Sequence, residues 1–173
     1  GTVATMINRR NFLLGSGAVS AAAAMGLFPA IFARKADAQA IAEHFEVTLT
    51  DDQWHQRLSD AQYYILREAG TERPYSSPLN KEHRDGKFAC AGCSLSLFSS
   101  ATKFDSRTGW PSFWKSLPNA AVTRRDTTLG MVRDEVHCRR CGGHLGHVFD
   151  DGPQPTGLRY CMNGLAMTFT PNT

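Results

Sequence analysis

Two Cys-x-x-Cys pairs constrain this chain more than any other feature. Cys90-Ala-Gly-Cys93 and Cys138-Arg-Arg-Cys141 can each aim two sulfurs at one ion from a tight turn. Together they supply the four thiolates of a closed tetrahedral site, the arrangement zinc favours for structural rather than catalytic use. The 44 residues between Cys93 and Cys138 make such a metal a staple between distant segments. Disulfides are the rival reading in an oxidising compartment, and a redox Cys-x-x-Cys is a second. Neither pair is flanked by a βαβ pattern and neither is followed by His, which excludes a c-type haem attachment.

The fifth cysteine, Cys161, is left over. A lone cysteine is either a small buried apolar residue or a nucleophile whose thiolate is stabilised by nearby cations, imidazoles or N–H groups. The neighbouring sequence offers such groups. Arg159 and Asn163 lie two residues to either side, on the same face if the segment is a strand. His144 and His147 follow directly on the second knuckle, where a stapled turn can hold them rigidly.

The N-terminal 38 residues have another character. Arg9-Arg10 precede Phe12-Leu13-Leu14, an uncharged Ala-rich run continues to Ala33, and Ala36-Asp37-Ala38 ends it. A basic start, an apolar stretch and an A-x-A site describe an export signal, here of the twin-arginine type. The expected organisation is a leader at 1–38, a tether at 39–47 and one domain at 48–173. An uncleaved leader would instead anchor the chain in a membrane. The net charge of +3 belongs to the leader, because residues 39–173 hold 15 basic and 15 acidic groups. No basic footprint for nucleic acid remains, and no P-loop or dinucleotide glycine pattern occurs.

Within the domain, Thr50-Asp51-Asp52-Gln53 reads as a capping box. Trp54, Leu58, Ala61 and Ile65 follow at helical spacing, with Gly70 as a stop. A second cap at Ser59 leaves one helix or two open. Beyond Gly70, turn residues separate candidate strands at 86–90, 120–125, 129–138, 146–149 and 158–169. The expected fold is mainly β and mostly antiparallel, with a short helical N-terminal region.

Longer motifs carry a resemblance. Cys90-x-x-Cys93, Thr102-Lys103-Phe104-Asp105-Ser106, Gly109-Trp110-Pro111-Ser112-Phe113, the run from Cys141 to Pro153, and Arg159-Tyr160-Cys161-x-Asn163 are similar in order and spacing to the B-type methionine sulfoxide reductases. The resemblance runs from about Thr48 to Pro171. It implies two antiparallel sheets with short N-terminal helices, one structural zinc on Cys90, Cys93, Cys138 and Cys141, and reduction of the R epimer of methionine sulfoxide, free or in proteins. The two epimers need different enzymes. It further implies Cys161 as nucleophile, passing through a sulfenic acid, and His147 as proton donor supported by His144 and Asn163. By the same resemblance Arg159 and Asp151 are expected to form an electrostatic pair, and Trp110 and Phe149 to wall the substrate site. The chain departs from the family at Thr108, where many members carry a resolving cysteine. Without that thiol, an external thiol reductant has to act on Cys161. The remaining expectations are an exported, periplasmic location and oxidised proteins or peptides as partners. A non-catalytic zinc-stapled β module and a disulfide oxidoreductase are the competing readings from other classes.

Overall fold

The computed structural model describes residues 44–173, and the leader lies outside them. Two helices come first, α1 (Asp51–Arg57) and α2 (Asp60–Glu68). Each opens with a full capping box. Thr50 Oγ1 accepts from Gln53 N at 3.3 Å while Gln53 Oε1 accepts from Thr50 N at 2.9 Å. Ser59 and Gln62 repeat the pattern at 3.2 and 3.0 Å. The second box interrupts the helix and resets its phase. Trp54, Leu58, Ile65 and Leu66 are therefore buried, whereas Ala61, expected on the apolar face, is exposed.

Helix α2 stops one residue before the expected Gly70. Ala69 takes the left-handed conformation (φ 53°) and Gly70 N donates to Tyr64 O at 3.0 Å, closing the helix end. The Tyr64 ring fills the space where a Cβ at residue 70 would stand.

Among the described residues, nine strands form two antiparallel sheets. The smaller joins β1 (Gly86–Cys90) with β2 (Ser96–Ser99) and β9 (Met167–Pro171) in the order β2-β1-β9. The larger contains β3 (Lys103–Phe104), β4 (Ser112–Phe113), β5 (Ala121–Asp126), β6 (Arg133–Cys138), β7 (His144–Phe149) and β8 (Arg159–Met162). Its order is β3-β4-β8-β7-β6-β5. The core holds Phe88, Phe98, Phe113, Leu97, Leu145, Val136 and Met162, each completely buried.

Two expected strands differ from the observed ones. The 129–138 segment becomes strand only at Arg133, because Leu129 (φ 56°) and Gly130 (φ 68°) are left-handed and turn the chain. The 158–169 segment is two strands in different sheets. Between them Asn163 leaves the ladder and a 3-10 turn spans Gly164–Ala166. The buried Glu72 carboxylate accepts from Gly164 N at 2.6 Å and Leu165 N at 3.0 Å, fixing that switch. The short strands β2, β3 and β4 lie outside the candidate strands read from the sequence.

Helices and knuckles are tied directly. Arg57 donates to Gly92 O at 3.2 Å and Arg67 to Cys141 O at 3.0 Å, one link to each knuckle. Arg67 also lies 4.6 Å over the Trp54 ring. Residues 45–47, at the end of the expected tether, pack on the second knuckle: Val47 N donates to Arg140 O at 3.0 Å and Phe45 meets His137 edge-on.

Candidate active site and metal centre

The knuckles are built alike. In each, the residue four beyond the first cysteine donates its N–H back to that cysteine's carbonyl at 2.8 Å, Ser94 to Cys90 and Gly142 to Cys138. Both of these residues are left-handed, at φ 62° and 69°. The turns bring all four sulfurs within 4.8 Å of one another. Cys90 and Cys141 approach to 3.7 Å, and Cys93 and Cys138 to 3.5 Å. A tetrahedron with metal–sulfur bonds of about 2.3 Å has sulfur–sulfur edges of about 3.8 Å, so the cluster has the size of a zinc thiolate cage. All five cysteines are free, the paired sulfurs standing well beyond the roughly 2.05 Å of a disulfide bond. The four sulfurs can hold a metal ion.

Beyond the second knuckle, strand register assembles the site around Cys161. Antiparallel partners point to the same face. Across the larger sheet, Arg124 faces Glu135, Glu135 faces His147, His147 faces Cys161, and Cys161 faces Ser112. His144 and His147 are three residues apart and in a regular strand would point to opposite faces. A bulge between Val136 and His137 corrects this, since His137 faces His144 while Val136 faces Gly146. Leu145 is the extra residue, its side chain in the core. Both imidazoles thus share one face, their ring centroids 5.5 Å apart.

Each imidazole has a carboxylate. His147 Nε2 donates to Asp126 Oδ2 at 2.8 Å, and His144 Nδ1 donates to Glu135 Oε1 at 2.7 Å. Asp126 also receives Arg133 at 2.9 Å and both the N–H and hydroxyl of Thr128. These donors hold its carboxyl far below the usual range. The Arg124 guanidinium grips the other oxygen of Glu135 at 2.9 and 3.0 Å. The His144 hydrogen bond comes first among the causes that bring Glu135 down to about 2.

A cavity of about 210 Å³ opens over Cys161. It gathers six expected residues: Cys161, His147, Arg159, Asn163, Trp110 and Phe149. Two others stand off its wall. His144 lies behind His147, and Asp151 grips Arg159 with bonds of 2.8 and 2.9 Å. The Arg159 guanidinium stacks 4.3 Å over the Phe149 ring. Asn163 is buried and fully engaged: Oδ1 accepts from Glu72 N at 3.0 Å and Nδ2 donates to Leu145 O at 3.1 Å. Trp110 Nε1 donates to Glu72 O at 3.1 Å, so one residue ties the aromatic wall to Asn163.

Burial pushes the Cys161 thiol up, against smaller opposing pulls from Thr108, Arg159 and Ser112. It pushes His147 down, against the Asp126 hydrogen bond. Burial thus favours the uncharged form of each group, thiol and imidazole. Asp126, Glu135, Arg133, Thr71 and Glu72 had no motif to mark them. Reading the adjacent candidate strands as a hairpin that runs on to the strand carrying the histidines is the one signal that would have put Asp126 and Glu135 near them.

The chain matches the SelR domain model over residues 58–171, and its twin-arginine translocation signal matches over residues 6–26. That signal marks the chain for export. Among the described residues, no helix is long and apolar enough to cross a membrane. A peptide methionine sulfoxide reductase MsrB of Agrobacterium fabrum is 53% identical over 127 residues, covering 73% of this chain and 94% of the relative. One from Thiobacillus denitrificans is 56% identical over 123 residues, covering 70% and 93%. One from Alteromonas mediterranea is 52% identical, covering 70% and 87%.

Proposed function

The chain belongs to the SelR-domain family of peptide methionine sulfoxide reductases, and we propose that it reduces the R epimer of methionine sulfoxide, free or within proteins, through a Cys161 sulfenic acid. One observation carries the mechanism: His147 faces Cys161 across β7 and β8 at the floor of a cavity walled by Trp110 and Phe149.

The proton count supports this reading. A thiol and a sulfoxide become a sulfenic acid and a sulfide with no net proton gained or lost. A protonated Cys161 beside a neutral His147 already holds the one proton that the sulfoxide oxygen needs. With Nε2 donating to Asp126, the His147 lone pair is on Nδ1. That nitrogen takes the thiol proton as the Cys161 sulfur attacks the sulfoxide sulfur, then gives it to the oxygen. Asp126 stabilises the transient imidazolium. The hydroxyl passes to Cys161 as the new sulfur–sulfur bond breaks, and methionine leaves. Proton transfer of this kind contributes about 10²–10⁴-fold. Arg159, held by Asp151, draws negative charge onto the Cys161 sulfur. Phe149 and Trp110 meet the substrate methyl and sulfur, a favourable contact for aromatic surface. His144 and Asn163 support His147 and the cavity floor.

The metal is zinc, held by Cys90, Cys93, Cys138 and Cys141, and its role is structural. Residues 1–38 are the cleaved leader, residues 39–47 the tether and residues 48–173 the catalytic domain, working in the periplasm to repair oxidised proteins. Thr108 supplies no second thiol, so an external thiol attacks the sulfenic acid, releasing water, and a second thiol frees Cys161.

The test is turnover of each sulfoxide epimer with a chemical dithiol, alongside metal analysis. Turnover of the R epimer with one zinc per chain is expected, and Cys161→Ser should abolish turnover while keeping the zinc. Activity in Cys161→Ser, or activity confined to the S epimer, would refute the assignment. Zinc below half an equivalent would refute the metal.

A further inference from the structure

Three hydroxyls form a chain that ends at Cys161. Thr108 Oγ1 lies 3.8 Å from Cys161 Sγ, Ser106 Oγ lies 2.8 Å from Thr108 Oγ1, and Ser112 Oγ lies 2.7 Å from Ser106 Oγ. Ser112 Oγ is 3.0 Å from Trp110 O, and its residue is completely buried.

The far end sets the direction of every bond. A carbonyl only accepts, so Ser112 gives its single hydrogen to Trp110 O. Ser112 has no other hydrogen, so Ser106 donates to Ser112. Ser106 has then spent its own, so Thr108 donates to Ser106. The Thr108 N–H also donates to Ser106 Oγ, at 3.4 Å. With the Thr108 hydrogen committed, the remaining contact has one polarity left: the Cys161 S–H donates to Thr108 Oγ1. The resting chain is thus wired for a protonated thiol, which agrees with the burial of Cys161.

Once the sulfur carries negative charge it can only accept. The Thr108 hydroxyl then gains more by turning its hydrogen to the sulfur than it loses at Ser106, because a hydrogen bond to an ionised partner is roughly twice as strong as a neutral one. We propose that Thr108 is a catalytic residue whose hydroxyl rotates from accepting the Cys161 thiol hydrogen to donating to the charged sulfur, with Ser106 as the competing acceptor that holds it in the resting position. The proposal rests on Cys161 being the reactive thiol. It gives position 108 a role that does not need a second thiol.

Other groups face Cys161 and stay constant in the test, Ser112 of β4 among them. Arg159 comes from its own strand with Asp151 behind it, and His147 from β7 with Asp126 behind it. Arg133 from β6 lines the same cavity. The measurement is the pH dependence of Cys161 alkylation by iodoacetamide in the zinc-loaded protein, with the four metal thiols protected. Thr108→Val removes the donor, and the midpoint should rise by about 0.5–1 pH unit, a three- to tenfold slower alkylation below the midpoint. Thr108→Ser should restore the wild-type midpoint. Ser106→Ala removes the competitor, so Thr108 can face the sulfur at no cost, and the midpoint should fall. Opposite shifts from two neighbouring residues are not what loosened packing produces. An unchanged midpoint in Thr108→Val, or an upward shift in Ser106→Ala, would overturn the switch. Turnover by the wild type separately tests the reductase reading, so the two failures are distinguishable.

Discussion

Replacing Glu72 with alanine should unfold the active-site floor from a position that never touches substrate. The side chain is 7% exposed, and its two oxygens accept the N–H groups of Gly164 and Leu165 at 2.6 and 3.0 Å. Hydrogen bonds to a charged acceptor contribute about 1.5–3 kcal/mol each, and a buried donor left without a partner costs about 1–3 kcal/mol. Gly164 is buried and would be left so, whereas Leu165 is 37% exposed and water can reach its N–H. Taking the lower figure for each of the two bonds, the loss is about 3 kcal/mol. A domain of about 130 residues has an unfolding entropy near ~0.27 kcal/mol/K, so the melting temperature should fall by about 10 °C. The loss is also functional, because the backbone of residue 72 holds both Asn163 Oδ1 and Trp110 Nε1. Substrate KM should rise several-fold with zinc still bound. Glu72→Gln keeps one acceptor oxygen and should show about half the destabilisation. Thermal and urea unfolding of the zinc-loaded proteins measures the effect. A loss under about 1 kcal/mol would show that the carboxylate does not anchor the sheet switch.

Two more outcomes are expected. Thr108→Cys sets a second sulfur where a hydroxyl now lies 3.8 Å from Cys161 Sγ, and after one turnover with sulfoxide the variant should contain a disulfide between the introduced thiol and Cys161, read by mass spectrometry. The wild type should retain no internal disulfide under the same conditions. Glu135 has its carboxyl lowered from 4.5 to about 2 chiefly by His144, so it stabilises the fold fully above about pH 4.5 and loses that contribution as pH falls towards 2. The contribution is on the order of 3 kcal/mol at neutral pH for this mostly buried group. Urea unfolding from pH 6 to pH 2.5 should therefore slope less steeply in Glu135→Gln than in the wild type, and parallel slopes would refute the linkage.

The metal cluster was legible because ligand type and turn are both local. Two Cys-x-x-Cys pairs state the ligand count, and the left-handed Ser94 and Gly142 close the same turn in each. The two capping boxes were legible for the same reason, since each bond spans three residues. Cys161, His147, Arg159 and Asn163 could be named from spacing and resemblance, and the cavity gathers all four. What spacing alone misjudged was the phase of the first helix, because Ala61 left the apolar face once Ser59 restarted the helix. Spacing carried no information on how His144 shares the face of His147, which takes a bulge that no local pattern announces.

The leftover cysteine and its missing partner thiol are therefore properties of the sequence, because counting needs no coordinates. The charge state of that thiol belongs to the tertiary structure. Arg159 beside Cys161 in the chain points towards a thiolate, yet the guanidinium is shared with Asp151 and Phe149, and burial outweighs its pull. Asp126 and Glu135 reach the two imidazoles only because β6 pairs with both β5 and β7. Desolvation and cross-strand register depend on residues far apart in the chain, and for that reason the sequence could name the candidate groups while the fold decides which carboxylates reach the imidazoles and that burial opposes the thiolate.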